Sequence, residues 1–389
     1  MSMQSRYCDH FIHAFMMLFA FSLPISIAVS QGALMLGLLA WGVKIVFEKK
    51  LNWERTPVDY ALLAFLAAGV MSALWGADRL NSLTGLRTFW TFLIIYVLYN
   101  NVHDFGRVKM LVSSLFAGAA LSAVYSAGVS IRQLLTGMEP ALIGDMTQAG
   151  QLMIVCGLAS GCFLYKKDFR ARMLFLLLVL LLAAAVVLEF KRGAWIGLIC
   201  VFLVQGAVKS PRMIAALLAA LIGVFTLFPP AGERLQDVRE EFSPEAGGRG
   251  AMWMTAPEII RDYPLGAGLD NAGELMYRYD PSIELKEGRV MHSHLHNSYL
   301  QVLVEMGFVG LAAFIAFIAV FLKVSRNLLR RTPEKYPYEK GLALGGFSAF
   351  AGFLVNGMFE HNFGDSEVAM LVFFIMGVTF IVDRRMTVG

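Results

Sequence analysis

Residues 173–189 read MLFLLLVLLLAAAVVLE, an apolar run that is interrupted only by its last residue. With a rise of about 1.5 Å per residue, a helix of this length approaches the roughly 30 Å thickness of a bilayer's hydrocarbon core. Lipid cannot satisfy exposed backbone N–H and C=O groups, so such a run crosses a membrane as a helix. The stretch therefore predicts a membrane-spanning helix.

Similar apolar runs recur along the whole chain. Of its 389 residues, 57% are hydrophobic and 16% are charged, whereas a soluble domain has about 25% charged residues. We therefore predict an all-α, polytopic membrane protein of about twelve transmembrane helices, forming a single integral membrane domain over residues 1–389. The predicted spans lie near residues 11–29, 31–47, 58–75, 85–100, 108–131, 147–165, 173–189, 194–208, 213–229, 298–322, 341–360 and 365–382.

The basic residues fall in short clusters between the apolar runs. If the N-terminus is cytoplasmic, nearly every cluster lies on the inner face, as the positive-inside rule requires. These clusters are residues 48–57, 166–172, 209–212, 323–340 and the C-terminal tail. Because this distribution is typical of topology determinants, the net charge of +4 does not indicate a nucleic-acid partner.

One long polar segment, residues 230–297, separates the ninth and tenth predicted spans. The orientation above puts it on the outer face, which is the periplasm in a bacterium. A connection of this length is usually functional. We predict short helices within it, one near its start and one that follows Arg249 and ends at Pro264.

Three alternating histidines, His292, His294 and His296, end the long loop. One interpretation is a metal site, because alternate residues of an extended strand face the same way. It is disfavoured because the segment adjoins a helix, in which alternate residues would not face together. A second is a purely structural role at the membrane interface. The third, which we favour, is a general base near neutral pH, with His296 as the first candidate and His294 as the second.

Two arginines on the predicted outer face are candidates for binding an anion. Arg192 lies in a very short connection between two spans, and Arg249 lies between glycines in the long loop. Either could simply reach lipid headgroups. A guanidinium, however, is well suited to bidentate binding of phosphate oxygens. Arginines of lower rank at the same face are Arg79, Arg87 and Arg132.

Glu305 lies inside the tenth predicted span. An ionisable residue within a span indicates a functional site, although structural pairing explains it equally well. The chain has no phosphate-binding P-loop and no outer DxD-like pair, and its four cysteines form no CxxC motif. An enzyme facing outward would therefore need a donor that arrives already activated. A lipid pyrophosphate meets that need and fits the outer arginines.

Three segments carry a resemblance to a known family. They are RGAWIGL from residue 192, GRGAMWMTAPEIIRDYPLGAGLDN from residue 248, and HNSYLQVLVEMGFVG from residue 296. Together they resemble the O-antigen ligase and polymerase superfamily. The last segment is similar to that family's pattern of His-Asn, a leucine, and then Glu-x-Gly-x-x-Gly. The matching positions are His296, Asn297, Tyr299, Leu300, Glu305, Gly307 and Gly310.

The resemblance implies glycosyl transfer from undecaprenyl pyrophosphate-linked O-antigen to lipid A-core, at the outer face of the bacterial inner membrane. It also implies that neither a metal nor another cofactor is required. The catalytic candidates are His296, Arg249 and Arg192, and the two arginines would bind the pyrophosphate. Secondary candidates are His294, Glu305 and Asn297. A polymerase that joins lipid-linked repeat units is an alternative within the same superfamily.

A polysaccharide or lipid transporter is the main alternative of another class. Transporters often contain repeated halves, with broken helices near the middle of the membrane in both halves. The sequence has no such symmetry, and its charged candidates cluster towards the predicted outer face. The pattern therefore favours an enzyme.

Overall fold

The computed structural model describes residues 3–50, 53–236, 242, 249–280, 285–286, 289–290 and 293–388. In these segments the secondary structure is helical apart from one short antiparallel hairpin, β1 (Leu285–Lys286) with β2 (Arg289–Val290). This result confirms the all-α prediction.

The first half of the chain forms α1 to α8. These helices are α1 (Met3–Ser22), α2 (Ile27–Glu48), α3 (Asp59–Trp75), α4 (Arg79–Gly85), α5 (Leu93–Asn101), α6 (Phe105–Leu135), α7 (Met146–Tyr165) and α8 (Phe169–Leu188). Two 3₁₀ helices, Leu86–Phe92 and Pro140–Leu142, lie between them.

The second half contains the remaining eight α-helices of the described segments. They are α9 (Arg192–Val208), α10 (Pro211–Leu227), α11 (Pro229–Gln236), α12 (Arg249–Asp262), α13 (Ala272–Tyr279), α14 (Ser298–Arg331), α15 (Pro337–Asn356) and α16 (Ser366–Val388). Helix α12 confirms the helix predicted to follow Arg249. Helix α11 corresponds to the one predicted near the start of the loop.

Seven segments of the described chain are helical, long and apolar enough to cross a membrane. They are Ile27–Glu48, Arg79–Asn101, Phe105–Leu135, Met146–Tyr165, Phe169–Leu188, Ser298–Arg331 and Ser366–Thr387. Helices α3, α9 and α10 are apolar but shorter. The chain is therefore a polytopic helical protein of the membrane type, and the number of twelve crossings stays a prediction.

Some boundaries differ from the predicted ones. The predicted first span, residues 11–29, is divided by a turn at Leu23 to Ser26 that contains Pro24. The predicted fourth span is an α-helix, a 3₁₀ helix and a second α-helix in succession. The predicted span 341–360 is α15, which ends at Asn356. Glu360 therefore follows the helix rather than ending it.

Helices α7 and α15 form the centre of the bundle. Most of α7 is buried, and glycines line its contact with α15. A Cβ on Gly161 would collide with the backbone of Gly345, so only glycine allows the two helices to approach so closely. Small residues serve the same purpose in membrane helix packing generally, because apolar lipid provides little drive for helix association.

The segments predicted to be cytoplasmic meet at one end of the bundle. Lys209 binds Glu334 at 2.9 Å, and Arg331 contacts Asp383. Arg384 donates to the backbone oxygen of Val102 at 3.0 Å. These contacts join three separate basic clusters of the sequence. These three clusters therefore lie together in the folded chain, and their cytoplasmic orientation stays a prediction.

The segments predicted to be external meet at the opposite end. Ala77 N–H donates to Ala267 O at 2.8 Å, and the Thr147 hydroxyl donates to Asp365 Oδ2 at 3.0 Å. The backbone N–H of Asp145 donates to Glu189 at 2.6 Å. The connections around residues 76, 145, 190, 267 and 360 thus surround one region, which contains the candidate site.

Candidate active site

The start of α14 places the histidines. The Asn297 side chain accepts from Tyr299 N–H and Leu300 N–H, both at 3.0 Å, so it caps the helix. Its Nδ2 donates to Met358 O at 3.1 Å. Asn297, a secondary candidate in the sequence, therefore ties the first turn of α14 to the segment that follows α15.

His296 adopts the left-handed backbone conformation, with φ of 48°. A residue other than glycine is uncommon in this region, and such strain is concentrated at functional sites. In this conformation His296 Nδ1 lies 2.9 Å from Glu360 Oε1 and 3.1 Å from Glu360 Oε2. The side chain of His296 is only 14% exposed.

His294 lies beside His296. The rings have their centroids 4.3 Å apart, and His296 N–H donates to His294 Nδ1 at 3.3 Å. The expectation that alternate histidines would not face together is therefore wrong, because both precede the helix rather than lie in it. His292 lies outside the described residues.

Glu360 joins the candidate base to a candidate anion-binding arginine. Its Oε2 lies 3.5 Å from Arg249 Nη2, and its carboxylate receives His296 Nδ1. Burial acts to raise the Glu360 pKa. The hydrogen bond and charge of His296, with His294 and Arg249, outweigh burial and hold that pKa below its ordinary value. Glu360 is thus ionised in the folded chain at neutral pH.

Arg249 is the first residue of α12 and only 12% of its side chain is exposed. Burial lowers its pKa, and the neighbouring Glu360 acts in the opposite direction. A guanidinium is ordinarily charged at every pH that proteins experience. Arg249 therefore supplies a partly desolvated positive charge beside the histidines.

Arg192 begins α9 after the sharp turn at Phe190, whose φ is 54°. Its Nη1 donates to Arg234 O at 3.2 Å. With Lys191, Arg234, Arg249 and Glu360, it lines a cavity of about 20 Å³. We name this group the cationic cluster. The structure thus brings Arg192 and Arg249 together as the sequence predicted.

The cavity is small for an anion of pyrophosphate size. A volume of about 20 Å³ holds roughly one water molecule. The lining side chains are long, and desolvation lowers the pKa of Lys191 as well as that of Arg249. Binding of a pyrophosphate therefore requires these side chains to move apart, and it would relieve the concentration of positive charge.

Glu305 docks the long loop onto α14. Its backbone oxygen accepts from Gly268 N–H at 3.0 Å and from the Ser72 hydroxyl. Its side-chain Oε1 accepts from Asp270 N–H at 3.0 Å and from Gln301 Nε2 at 2.7 Å. Glu305 is only 7% exposed. These bonds give Glu305 a structural role next to the histidines.

A metal site remains compatible with part of this geometry. Nitrogen and oxygen atoms of His294, His296 and Glu360 lie within 4.8 Å of one another, and these are residue types that bind zinc. However, the Glu360 carboxylate already neutralises the adjacent Arg249. A divalent ion at Glu360 would lie close to that guanidinium, so the charges favour the metal-free hydrogen bond.

Comparison with known proteins gives matches in the same region. Residues 176–315 match a family model described as O-antigen ligase. A Rickettsia felis protein named "Putative polysaccharide ligase" is 24% identical over 319 residues, which are 77% of this chain and 74% of that protein. A Rickettsia bellii protein of the same name is 23% identical over 317 residues, with the same two shares. These matches support similarity to the O-antigen ligase superfamily.

An uncharacterized protein of Haemophilus influenzae is also similar, with 26% identity over 179 residues, 41% of this chain and 44% of that protein. The O-antigen ligase match includes Arg192, Arg249 and His296, whereas Glu360 follows it. The match to this family model and the names of the relatives support a glycan-processing activity of the ligase or polymerase type. The individual roles of the site residues stay predictions.

Sequence reasoning missed Glu360, Lys191 and Arg234. Glu360 was assigned to the end of a predicted span, and Lys191 and Arg234 were not among the predicted site residues. One signal was available: residues 359–365, FEHNFGD, place two carboxylates and a histidine in one short outer connection. The lower-ranked Arg79 and Arg132 do not line the cationic cluster.

Proposed function

We propose that the chain is an O-antigen ligase, a glycosyltransferase that moves a glycan from undecaprenyl pyrophosphate onto lipid A-core at the outer face of the bacterial inner membrane. One observation carries the proposal: Glu360 contacts both His296 and Arg249. This contact brings a candidate base next to a group suited to a leaving pyrophosphate. The superfamily match supports the choice of chemistry.

In the proposed reaction, Glu360 orients the base. In the proposed tautomer, His296 Nδ1–H donates a hydrogen bond to this carboxylate. The lone pair is then on Nε2. Nε2 removes the proton from an acceptor hydroxyl as the hydroxyl oxygen bonds to the donor's anomeric carbon. The bond from that carbon to the pyrophosphate oxygen breaks, and its electron pair leaves with the pyrophosphate. This single displacement inverts the anomeric carbon.

Arg192 and Arg249 are proposed to bind the pyrophosphate and to stabilise the charge that builds on it. Fixed positive groups in a partly dry site stabilise developing charge more than water does. Lys191 and Arg234 add two further cations around the same cavity. The proposed reaction needs no metal, since the four cations supply the charge that a metal would otherwise provide.

The test uses purified full-length protein in lipid nanodiscs, with lipid-linked O-antigen as donor and lipid A-core as acceptor. We expect His296→Ala to reduce transfer by about 10²-fold or more, the usual contribution of a general base. His10→Ala is the matched control, because His10 is an exposed residue of α1 and lines neither the cationic cluster nor the histidine site. Undiminished transfer by folded His296→Ala would overturn the base assignment, and His294→Ala tests the second candidate.

The same assay separates the alternatives. A polymerase would extend a second lipid-linked repeat unit and leave lipid A-core unmodified. A transporter would move the lipid-linked glycan between leaflets without forming a glycosidic bond. The Rickettsia relatives named as polysaccharide ligases favour the ligase outcome over both.

A further inference from the structure

A second cleft lies on the other side of the histidines from the cationic cluster. Its volume is about 390 Å³, and His294 and His361 line the wall nearest the candidate base. The His361 ring centroid lies 5.5 Å from that of His294, which in turn lies 4.3 Å from that of His296. The rings of His361 and His294 therefore form a chain of neighbours from the cleft to His296, the proposed base.

The polar wall of this cleft is acidic. Asp270, Glu305 and Asp365 all line it, and among the described residues no lysine or arginine does. Burial disfavours the charged carboxylates: it raises the pKa of Asp270, against the charge of Arg87, and raises that of Asp365 to about 6. The two clefts thus differ in their ionisable groups, which are mainly cations around the cationic cluster and carboxyl groups in this second cleft.

The remaining wall is aromatic. Phe89, Phe92 and Phe363 are among its residues. Flat apolar rings beside carboxylates suit a sugar, because a pyranose has an apolar face of C–H groups and an edge of hydroxyl donors. A pocket with apolar walls and a few fixed polar groups is also the usual form of a small-ligand site.

Two local features indicate that the cleft is built to receive a ligand. His361 Nδ1 is buried without a hydrogen-bond partner, and such orphaned groups are costly unless a ligand or water satisfies them. Asp270 adopts a φ of 60°, and its backbone N–H donates a hydrogen bond to Glu305 Oε1. Strained backbone conformations are concentrated at functional sites, and both residues line the same cleft.

We infer that the cleft lined by Asp270, Asp365, His294 and His361 is the acceptor subsite, which binds the hydroxyl groups of a neutral sugar next to the proposed base. This inference rests on the proposed glycosyltransferase function. It deepens that function by assigning the donor pyrophosphate and the acceptor sugar to separate clefts, one lined by basic side chains and the other by carboxyl groups and aromatic rings. Asp270 and Asp365 accept hydrogen bonds from acceptor hydroxyls, and the aromatic wall contacts the apolar face of the ring.

The test measures transfer while acceptor and donor concentrations are varied separately. Asp270→Asn is the sharpest variant, because asparagine tolerates the left-handed backbone and changes only the charge. We expect it to raise the KM for lipid A-core about 10-fold, as for loss of one charged hydrogen bond, and to leave the KM for the lipid-linked donor unchanged. Asp365→Asn is expected to act in the same way.

Glu258→Gln is the matched control, since Glu258 is an exposed carboxylate on α12 outside both clefts. An acceptor KM within twofold of the unmodified protein for both folded aspartate variants overturns the subsite. A rise in the KM for the lipid-linked donor, without a rise in the KM for lipid A-core, also overturns the subsite. If the unmodified protein forms no glycosidic bond to lipid A-core, the proposed function itself fails. If only His296→Ala is inactive and the aspartate variants are normal, the subsite alone fails.

Discussion

Glu360 contacts His296 Nδ1 at 2.9 Å and Arg249 Nη2 at 3.5 Å, so one carboxylate joins residues that are 47 positions apart in the sequence. In the proposed mechanism it accepts a hydrogen bond from Nδ1–H, which selects the imidazole tautomer whose Nε2 is basic. It also balances the charge of a buried arginine. The carboxylate is therefore positioned to control both proposed catalytic groups.

We expect Glu360→Gln to reduce transfer by about 100-fold or more, because an amide can also donate to Nδ1 and stabilise the wrong tautomer. The measurement is the rate of transfer in nanodiscs, with the exposed Glu258→Gln as the matched control. Transfer by folded Glu360→Gln at the rate of the unmodified protein would remove Glu360 from the proposed site.

Arg249→Lys should lower transfer by about 10-fold or more, because a point charge replaces a guanidinium fork that can bind two phosphate oxygens. The loss should appear when the donor concentration is varied, as a higher KM for the donor or a lower kcat. Arg261→Lys is the control on the same helix, since Arg261 is 78% exposed and pairs only with its neighbour Asp262 among the contacts found. Equal activity of the two variants would remove Arg249 from the proposed site.

Gly307→Ala should destabilise the protein. Gly307 interrupts α14 with φ of 66° and ψ of −171°, a conformation that is accessible essentially to glycine alone. A Cβ there would also lie 2.6 Å from Pro264 O, in the loop that Glu305 docks. We expect a loss on the order of 2 kcal/mol, seen as a lower thermal midpoint in detergent.

Gly42→Ala is the matched control for this substitution. Gly42 lies within helix α2, and a Cβ there would have no neighbour within 4 Å. Its midpoint should be unchanged or slightly higher, because alanine favours a helix. Equal midpoints for the two variants would contradict the close approach of the loop to α14.

Asp365→Asn should stabilise the fold above pH 6. Burial, with help from Glu360, raises the Asp365 pKa to about 6, from 3.8. A raised pKa means that the folded chain binds the proton more tightly than the unfolded chain does. The stabilisation from this tighter proton binding is complete below about pH 4. It is lost as the pH rises through the pKa of Asp365 in the folded chain. The charged carboxylate therefore lowers stability at neutral pH.

The advantage of Asp365→Asn should grow between about pH 4 and 6 and then level off at no more than about 3 kcal/mol. Thermal midpoints measured across this pH range check the result, with the exposed Glu258→Gln as control. An advantage that is the same at pH 4 and pH 8 would show that the charge of Asp365 is not the cause.

Chelation tests the remaining metal alternative. Transfer is expected to persist in an excess of EDTA, because the cationic cluster supplies the positive charge that the reaction needs. Loss of activity that Zn²⁺ restores would instead favour an ion at His294, His296 and Glu360. Measurement of bound zinc in the active preparation completes this test.

Much of the fold could be predicted from sequence, since apolar length and charge distribution report directly on helices that lie in lipid. The predicted α3 at residues 58–75 agrees with Asp59–Trp75 to within one residue. Boundaries near Pro24 and in the 3₁₀ segment Leu86–Phe92 could not be predicted as well. Apolar runs there continue through a break in helical geometry.

The candidate site was predicted in part. Arg192, Arg249 and His296 were expected to converge, and they lie around one carboxylate or one cavity. Glu360 was overlooked because its position at the end of an apolar run resembles an ordinary helix terminus. The paired rings of His294 and His296 were also misjudged, because the sequence does not show where the helix begins.

The sequence by itself determined that this is a polytopic helical protein of the membrane type, because lipid acts on each apolar segment separately. Only the tertiary structure decided which charged groups meet. The contacts of Glu360 with His296 and Arg249, and the separation of a cationic cavity from an acidic cleft, depend on connections between distant helices. Such contacts depend on how the helices pack, and a local pattern of residues does not predict that packing.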